Sequence, residues 1–103
     1  MNSMDWLGNV EIDPVLHQPV RTRIAAYLSA RGEASFTELK RALTTTDGNL
    51  EAHLKKLIAV RYIKVKRQSA EPRPQTTYRL TSSGAEALQR YVEALQHLLK
   101  FSD

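Results

Sequence analysis

The segment Thr46-Asp47-Gly48-Asn49-Leu50-Glu51-Ala52-His53-Leu54-Lys55-Lys56-Leu57 gathers side chains suited to one chemistry, hydrogen bonding to base edges and phosphates. The Asn49 amide both donates and accepts, so it can pair in a bidentate way with the edge of adenine. The Asp47 carboxylate can accept from a cytosine amine. Gly48 permits close backbone approach, or is equally a packing accident, and Ala52 falls with it outside the apolar face. The Thr46 hydroxyl can cap a helix and meet a phosphate. Lys55 and Lys56 bring charge to the flank, Lys56 in the better place for a phosphate. Each residue also has an ordinary use. Asp and Asn suit the first turn of any helix, lysine is common on any surface, and His53 beside apolar Leu54 can simply pack.

Other chemistries find no residues. Cysteine is absent, so no thiolate metal site, disulfide or cysteine nucleophile exists. His17, His53 and His97 are scattered rather than set at metal-ligand spacing, and no metal or cofactor is expected. The serines and threonines sit at caps and turns, and there is no Gly-rich phosphate loop. Catalysis needs a nucleophile or an acid/base pair in a concave site, so the expectation is a protein that is not an enzyme.

The elements that must position this segment can be read from period and punctuation. Leu50, Leu54, Leu57 and Ile58 share one face of a helix over about 47–60, with Thr46 as its cap. Before it, Ser35-Phe36-Thr37-Glu38 has the form of a capping box and opens a short helix over about 36–43. Thr44-Thr45-Thr46 makes the turn between them. Two short helices about a tight turn form a helix-turn-helix, in which the first braces the second. Upstream, Asp13-Pro14 starts a helix over about 14–30, which Pro19 interrupts or restarts and Gly32 ends. Downstream, Tyr62–Arg67 alternates apolar and basic as a half-buried strand, and Thr76–Leu80 is a second. The loop between carries Pro72-Arg73-Pro74, giving a hairpin with a stiff basic tip. Thr81 caps a last helix over about 82–100. The fold class is mainly α with a small β-hairpin: an arm over 1–12, a winged helix-turn-helix over 13–81, and a C-terminal helix over 82–103, all one domain.

Charge agrees with this layout. The chain of 103 residues has a net charge of +4. Residues 46–80 hold eight cations against three anions, and the remainder seven against eight. A basic third beside a near-neutral rest is the footprint of a nucleic-acid binder, although a merely solvated basic face has the same composition. No apolar run approaches the roughly 20 residues of a membrane span. The first residues lack the pattern of a secretory signal, so a cytoplasmic protein is expected.

The recognition segment, together with Leu16-His17-Gln18-Pro19-Val20-Arg21 and Arg73-Pro74-Gln75-Thr76-Thr77-Tyr78-Arg79-Leu80-Thr81, resembles small bacterial and archaeal winged-helix regulators related to the MarR and ArsR families. The resemblance covers about 13–100. It implies a homodimeric transcriptional regulator that binds double-stranded DNA and dimerises through its last helix. It names no effector, and the ArsR metal-sensing role is not carried over without ligands. In such proteins the histidine at the position of His53 belongs to the DNA-reading helix. One departure stands out: Arg61 occupies the position after the recognition helix where glycine is usual.

Together these readings assign DNA contact to Thr46, Asp47, Gly48, Asn49, Ala52, His53 and Lys56 on the recognition helix. Lys66, Arg67 and Arg73 join them from the wing, Arg73 in a minor groove. Arg21 follows a proline at a helix start, where it can touch the DNA backbone or pair with an internal acid. Leu88, Tyr91, Val92, Leu95 and Leu99 form a stripe wider than a solvated helix needs, and with Trp6 and Leu7 of the arm they are expected to dimerise. The alternative is a winged-helix protein-interaction module that does not bind DNA.

Overall fold

A proline sets where the first helix begins. Gln18, forced to extended angles before Pro19 (φ −146°, ψ 126°), caps α1 (Pro19–Arg31) by accepting the Arg21 N–H through its side chain. The helix therefore starts at Pro19, not at Pro14. The Asp13 carboxylate that suggested an earlier start closes a separate turn, accepting from Val15 N at 2.8 Å and Leu16 N at 3.2 Å. Gly32, at φ 88°, ends α1 and donates to the Leu28 carbonyl. The structure is a computed structural model that describes residues 11–69 and 73–100.

After α1 the chain forms β1 (Ala34–Ser35), α2 (Phe36–Leu43), α3 (Asp47–Ala59), β2 (Ile63–Gln68), β3 (Gln75–Leu80) and α4 (Ser82–Lys100). β1 is the element the sequence did not disclose, because two residues carry no period. It pairs antiparallel with β3 (Ala34 with Tyr78, Ser35 with Thr77), so the sheet has three strands in the order β1-β3-β2. Ser35 then caps α2, accepting the Glu38 N–H at 3.1 Å. The reciprocal half of the capping box is not made. The Glu38 carboxylate instead accepts from the Tyr27 hydroxyl at 2.6 Å and faces Arg31 at 3.3 Å.

The core lies where α1, α2, α3 and the start of α4 meet the sheet. Ile24, Leu28, Leu39, Leu50, Leu57 and Ile63 are among its fully buried side chains. Within α3, burying Leu50, Leu54 and Leu57 contributes about 1.5–3 kcal/mol each. That outweighs the roughly 1 kcal/mol that Gly48 costs a helix relative to alanine. Packing, not propensity, holds α3 in place.

The end of α3 is welded to the start of α4. Arg61 has φ 63°, its N–H donates to Ile58 O at 2.9 Å, and Tyr62 N donates to Leu57 O at 3.0 Å. These two bonds and the left-handed residue make a Schellman motif, with arginine in the glycine position. Thr81 donates its N–H to Tyr62 O at 3.0 Å and its hydroxyl to Arg61 O at 2.6 Å. The same hydroxyl accepts the Gly84 N–H at 2.9 Å, capping α4. Gly84 must be glycine, since a β-carbon there would stand 2.0 Å from the Tyr62 carbonyl oxygen.

Candidate nucleic-acid interface

The first turn of α3 buries Leu50 and turns Asp47, Gly48 and Asn49 to solvent. Thr46 caps it, its hydroxyl accepting from Asn49 N at 3.2 Å, while the Asn49 amide nitrogen donates to the Thr45 hydroxyl at 2.8 Å. The Asn49 side chain is thus oriented by the turn that precedes the helix. Thr44, left-handed at φ 49°, makes that turn tight enough for α2 to brace α3. Thr46, Asp47, Gly48, Asn49, Ala52 and Lys56 are all exposed, and His53 is half-buried at their edge. A β-carbon on Gly48 would meet nothing within 4 Å, so the fold itself does not require glycine there. What the glycine supplies is a low surface.

Asp47 is not a free acceptor. Its carboxylate lies 2.7 Å from Lys40 of α2, a pairing across the helix-turn-helix that sequence spacing did not reveal. Both side chains are solvated, so the pair is weak and can open. Lys55 lies 3.6 Å from Glu51 one turn back, whereas Lys56 faces no carboxylate among the described residues.

Arg21 is turned inward. It is 9% exposed; its Nε donates to Val15 O at 2.6 Å and its guanidinium meets His53 Nδ1 at 3.0 Å. Its partners are a backbone carbonyl and an imidazole, neither the solvent side of the DNA reading nor an acid. Desolvation, then the nearby Arg21 charge, then Lys56 lower the His53 pKa below the ordinary 6.5.

The hairpin projects past the core. Only Ile63 of β2 is buried, so the half-buried strand expected from alternation is exposed on both faces beyond its first residue. Alternation sets Lys64 and Lys66 on one face and Val65 and Arg67 on the other. Arg79 stands directly opposite Lys64, and Tyr78 opposite Val65. Burial raises the Tyr78 pKa, with the charge of Arg67 opposing and that of Glu51 on α3 adding to the rise. Arg67 therefore belongs to the α3 side of the hairpin, while Lys64, Lys66 and Arg79 share the outer side. Lys64 and Arg79 become notable only through this register. Arg73 and Pro74 are exposed at the tip, and Pro72 lies outside the described residues.

On α4, Leu88 and Leu95 are half-buried, and Val92 and Leu99 are 45% and 68% exposed. Tyr91 is different: it is 6% exposed, in its own chain's core, with its hydroxyl 2.9 Å from His17 Nδ1. Trp6 and Leu7 lie outside the described residues. Among the described residues no three His, Asp or Glu side chains cluster to hold a metal ion. No helix among them is long and apolar enough to cross a membrane.

A braced helix with a bare polar first turn, followed by a basic two-stranded projection, defines a winged helix. The model of the winged helix DNA-binding domain family matches residues 20–99. The chain belongs to that family. A protein of Methanocaldococcus jannaschii is 34% identical over 86 residues, which make up 84% of this chain and 94% of that one. The solved structure of a transcriptional regulator homologue from Pyrococcus horikoshii matches with a TM-score of 0.87 and 28% identity, over 97% of this chain and 99% of the other. Bacillus subtilis PadR, solved in complex with operator DNA, shares the fold at a TM-score of 0.58 and 20% identity, over 67% of this chain and 44% of PadR.

Proposed function

We propose that this chain is a sequence-specific regulator of transcription that binds double-stranded DNA as a homodimer, α3 entering the major groove and the hairpin tip the flanking minor groove. The observation that carries the reading is the first turn of α3: oriented by its cap, polar, exposed, and kept low by a glycine that the fold does not need. Asn49 reads a base edge, and Asp47 does so when Lys40 releases it. Thr46, Lys56, Lys66 and Arg67 meet phosphates, the last two from opposite faces of the wing. Gly48 and Ala52 let the helix lie deep. Arg73 senses the width and potential of the minor groove rather than its sequence, because A·T and T·A look alike there. Arg21 supports the site from within.

The dimer reading rests on Leu88, Val92, Leu95 and Leu99, whose spacing of 4, 3 and 4 makes a continuous seam along α4. A two-fold pair would set its recognition helices on half-sites about 34–36 Å apart. Selection of bound duplexes from a random pool tests both parts. Recovery of a palindrome with half-sites about one turn apart is the expected result. A single unrepeated half-site would refute the dimer, and recovery of random sequence would refute specific readout. Asn49→Ala should relax preference at one base per half-site, at a cost of about 1–3 kcal/mol there. Uniform weakening on all duplexes would remove it as a base reader.

A further inference from the structure

Arg21 is a buried cation that makes no ion pair among the described residues, and its guanidinium hydrogen-bonds to the recognition helix at His53. A guanidinium has only donors. Its contact with His53 Nδ1 at 3.0 Å therefore requires that nitrogen to be unprotonated. The ring must then be neutral and carry its hydrogen on Nε2. Two further bonds hold the geometry. Arg21 Nε donates to the Val15 carbonyl, and Arg21 N is held by the Gln18 cap. The guanidinium is thus anchored from α1 before it reaches α3.

His53 follows Asn49 by four residues and precedes Lys56 by three, so the three lie in one row on α3. Asn49 and Lys56 are exposed, and His53 sits at the edge of the row nearest α1. In a major groove the edge of such a row faces the groove wall, which is lined with phosphate oxygens.

We propose that Arg21 is a positioning residue that fixes the tautomer of His53, so that the recognition helix presents a neutral Nε2–H donor to a phosphate oxygen of the DNA. The proposal rests on the DNA-binding reading above and adds to it a residue that acts without touching DNA. A phosphate beside an imidazole favours its protonation; the Arg21 charge from α1 and the Lys56 charge from α3 oppose it, as does burial. The donor stays neutral and its direction fixed, and DNA binding in the neutral range does not take up a proton at this site.

The test uses the full chain, in three measurements. Long-range nitrogen–proton spectra of the free protein at pH 7 should show His53 with hydrogen on Nε2 alone; hydrogen on Nδ1, or an imidazolium, would overturn the proposal. Duplex binding followed by fluorescence anisotropy, at constant salt, should change less than about twofold for the unaltered protein between pH 6.5 and 8. In Arg21→Met the affinity should rise as pH falls, approaching tenfold per pH unit for one proton taken up. A pH-flat Arg21→Met that retains its fold by circular dichroism would overturn the proposal. Where that variant does not fold, the pair His53→Gln and His53→Ala decides. Glutamine, a neutral donor, should bind within about threefold of the unaltered protein, and alanine should lose about tenfold on every duplex alike. Equal affinity for alanine, glutamine and histidine would overturn the proposal while leaving DNA binding itself intact. Failure of the unaltered protein to bind any duplex would instead refute the reading on which it rests.

Discussion

Replacing Arg61 with glycine should make the protein more stable, against the usual direction of substitution. Arg61 has φ 63° in the turn that ends α3, where a β-carbon is disfavoured by about 1–2 kcal/mol. Glycine removes that strain but gives the unfolded chain more freedom, a loss of about 0.5–1 kcal/mol. The bonds of the turn run through the backbone: Arg61 N to Ile58 O, Tyr62 N to Leu57 O, and the Thr81 hydroxyl to Arg61 O. All three survive in Arg61→Gly. The Arg61 side chain is exposed and makes no ion pair among the described residues, so removing it costs little. The difference of the two ranges is about 0–1.5 kcal/mol, a net gain of about 0.75 kcal/mol at their midpoints. For a domain of this size 1 kcal/mol moves the melting temperature by about 4–8 °C. Urea and thermal unfolding at one fixed protein concentration measure it, because coupling to dimerisation would otherwise shift the midpoint. A midpoint unchanged or lowered would refute the strain argument and leave the arginine an interaction of its own. If duplex binding fell alongside the gain, with a salt slope lower by about one, the arginine would be shown to exchange stability for a phosphate contact.

Gly84→Ala should be strongly destabilising, by about 1–3 kcal/mol or more, because the new methyl meets a backbone carbonyl that cannot rotate away; urea unfolding checks it. His53 should give the protein an acid sensitivity. Its folded pKa lies below the ordinary 6.5, so the unfolded chain takes a proton that the folded chain resists. The contribution is intact above about pH 6.5 and is lost as pH falls through the folded value; His53→Gln should flatten that part of the stability–pH curve. Arg73→Ala should weaken binding most on sites with A·T-rich flanks and leave the preferred central bases unchanged. Duplexes with fixed half-sites and varied flanks test this, and an equal loss on A·T and G·C flanks would reduce Arg73 to a phosphate contact.

The helix-turn-helix was legible because its signals are local. Ser35 and Thr46 cap the helices they precede, and Leu50, Leu54 and Leu57 are buried as their spacing requires. The start of α1 was misread for the same reason. Asp13-Pro14 has every local mark of a helix start, but the chain bends again before Pro19 because Gln18 is extended. β1 was invisible, since two residues stabilised by pairing with Tyr78 and Thr77 depend on partners more than forty positions away. For Arg21 the sequence offers a DNA-backbone contact or an internal acid, the usual partners of a charge; it has neither, and bonds to the Val15 carbonyl and His53. Its burial depends on an imidazole 32 positions later, which no period links to it. Alternation in β2 gave the correct faces but the wrong burial, because how far a hairpin reaches past its core is set by the core's extent and not by the strand.

The weld between α3 and α4 has a mechanical consequence. Thr81 ties the turn that ends α3 to the first turn of α4, and Gly84 lets the backbone of Tyr62 in that turn approach to contact distance. The helix that would pair two chains is hydrogen-bonded directly to the turn that ends α3. In a two-fold assembly the joint would act as a rigid bracket, so the distance between reading heads would be dictated by how the two long helices cross. A change of crossing angle would swing both heads together, like the points of a pair of dividers. Such a tool suits one span. Adding a base pair between half-sites would move one site by about 3.4 Å and turn it by about a tenth of a helical turn, and the bracket has no slack with which to follow.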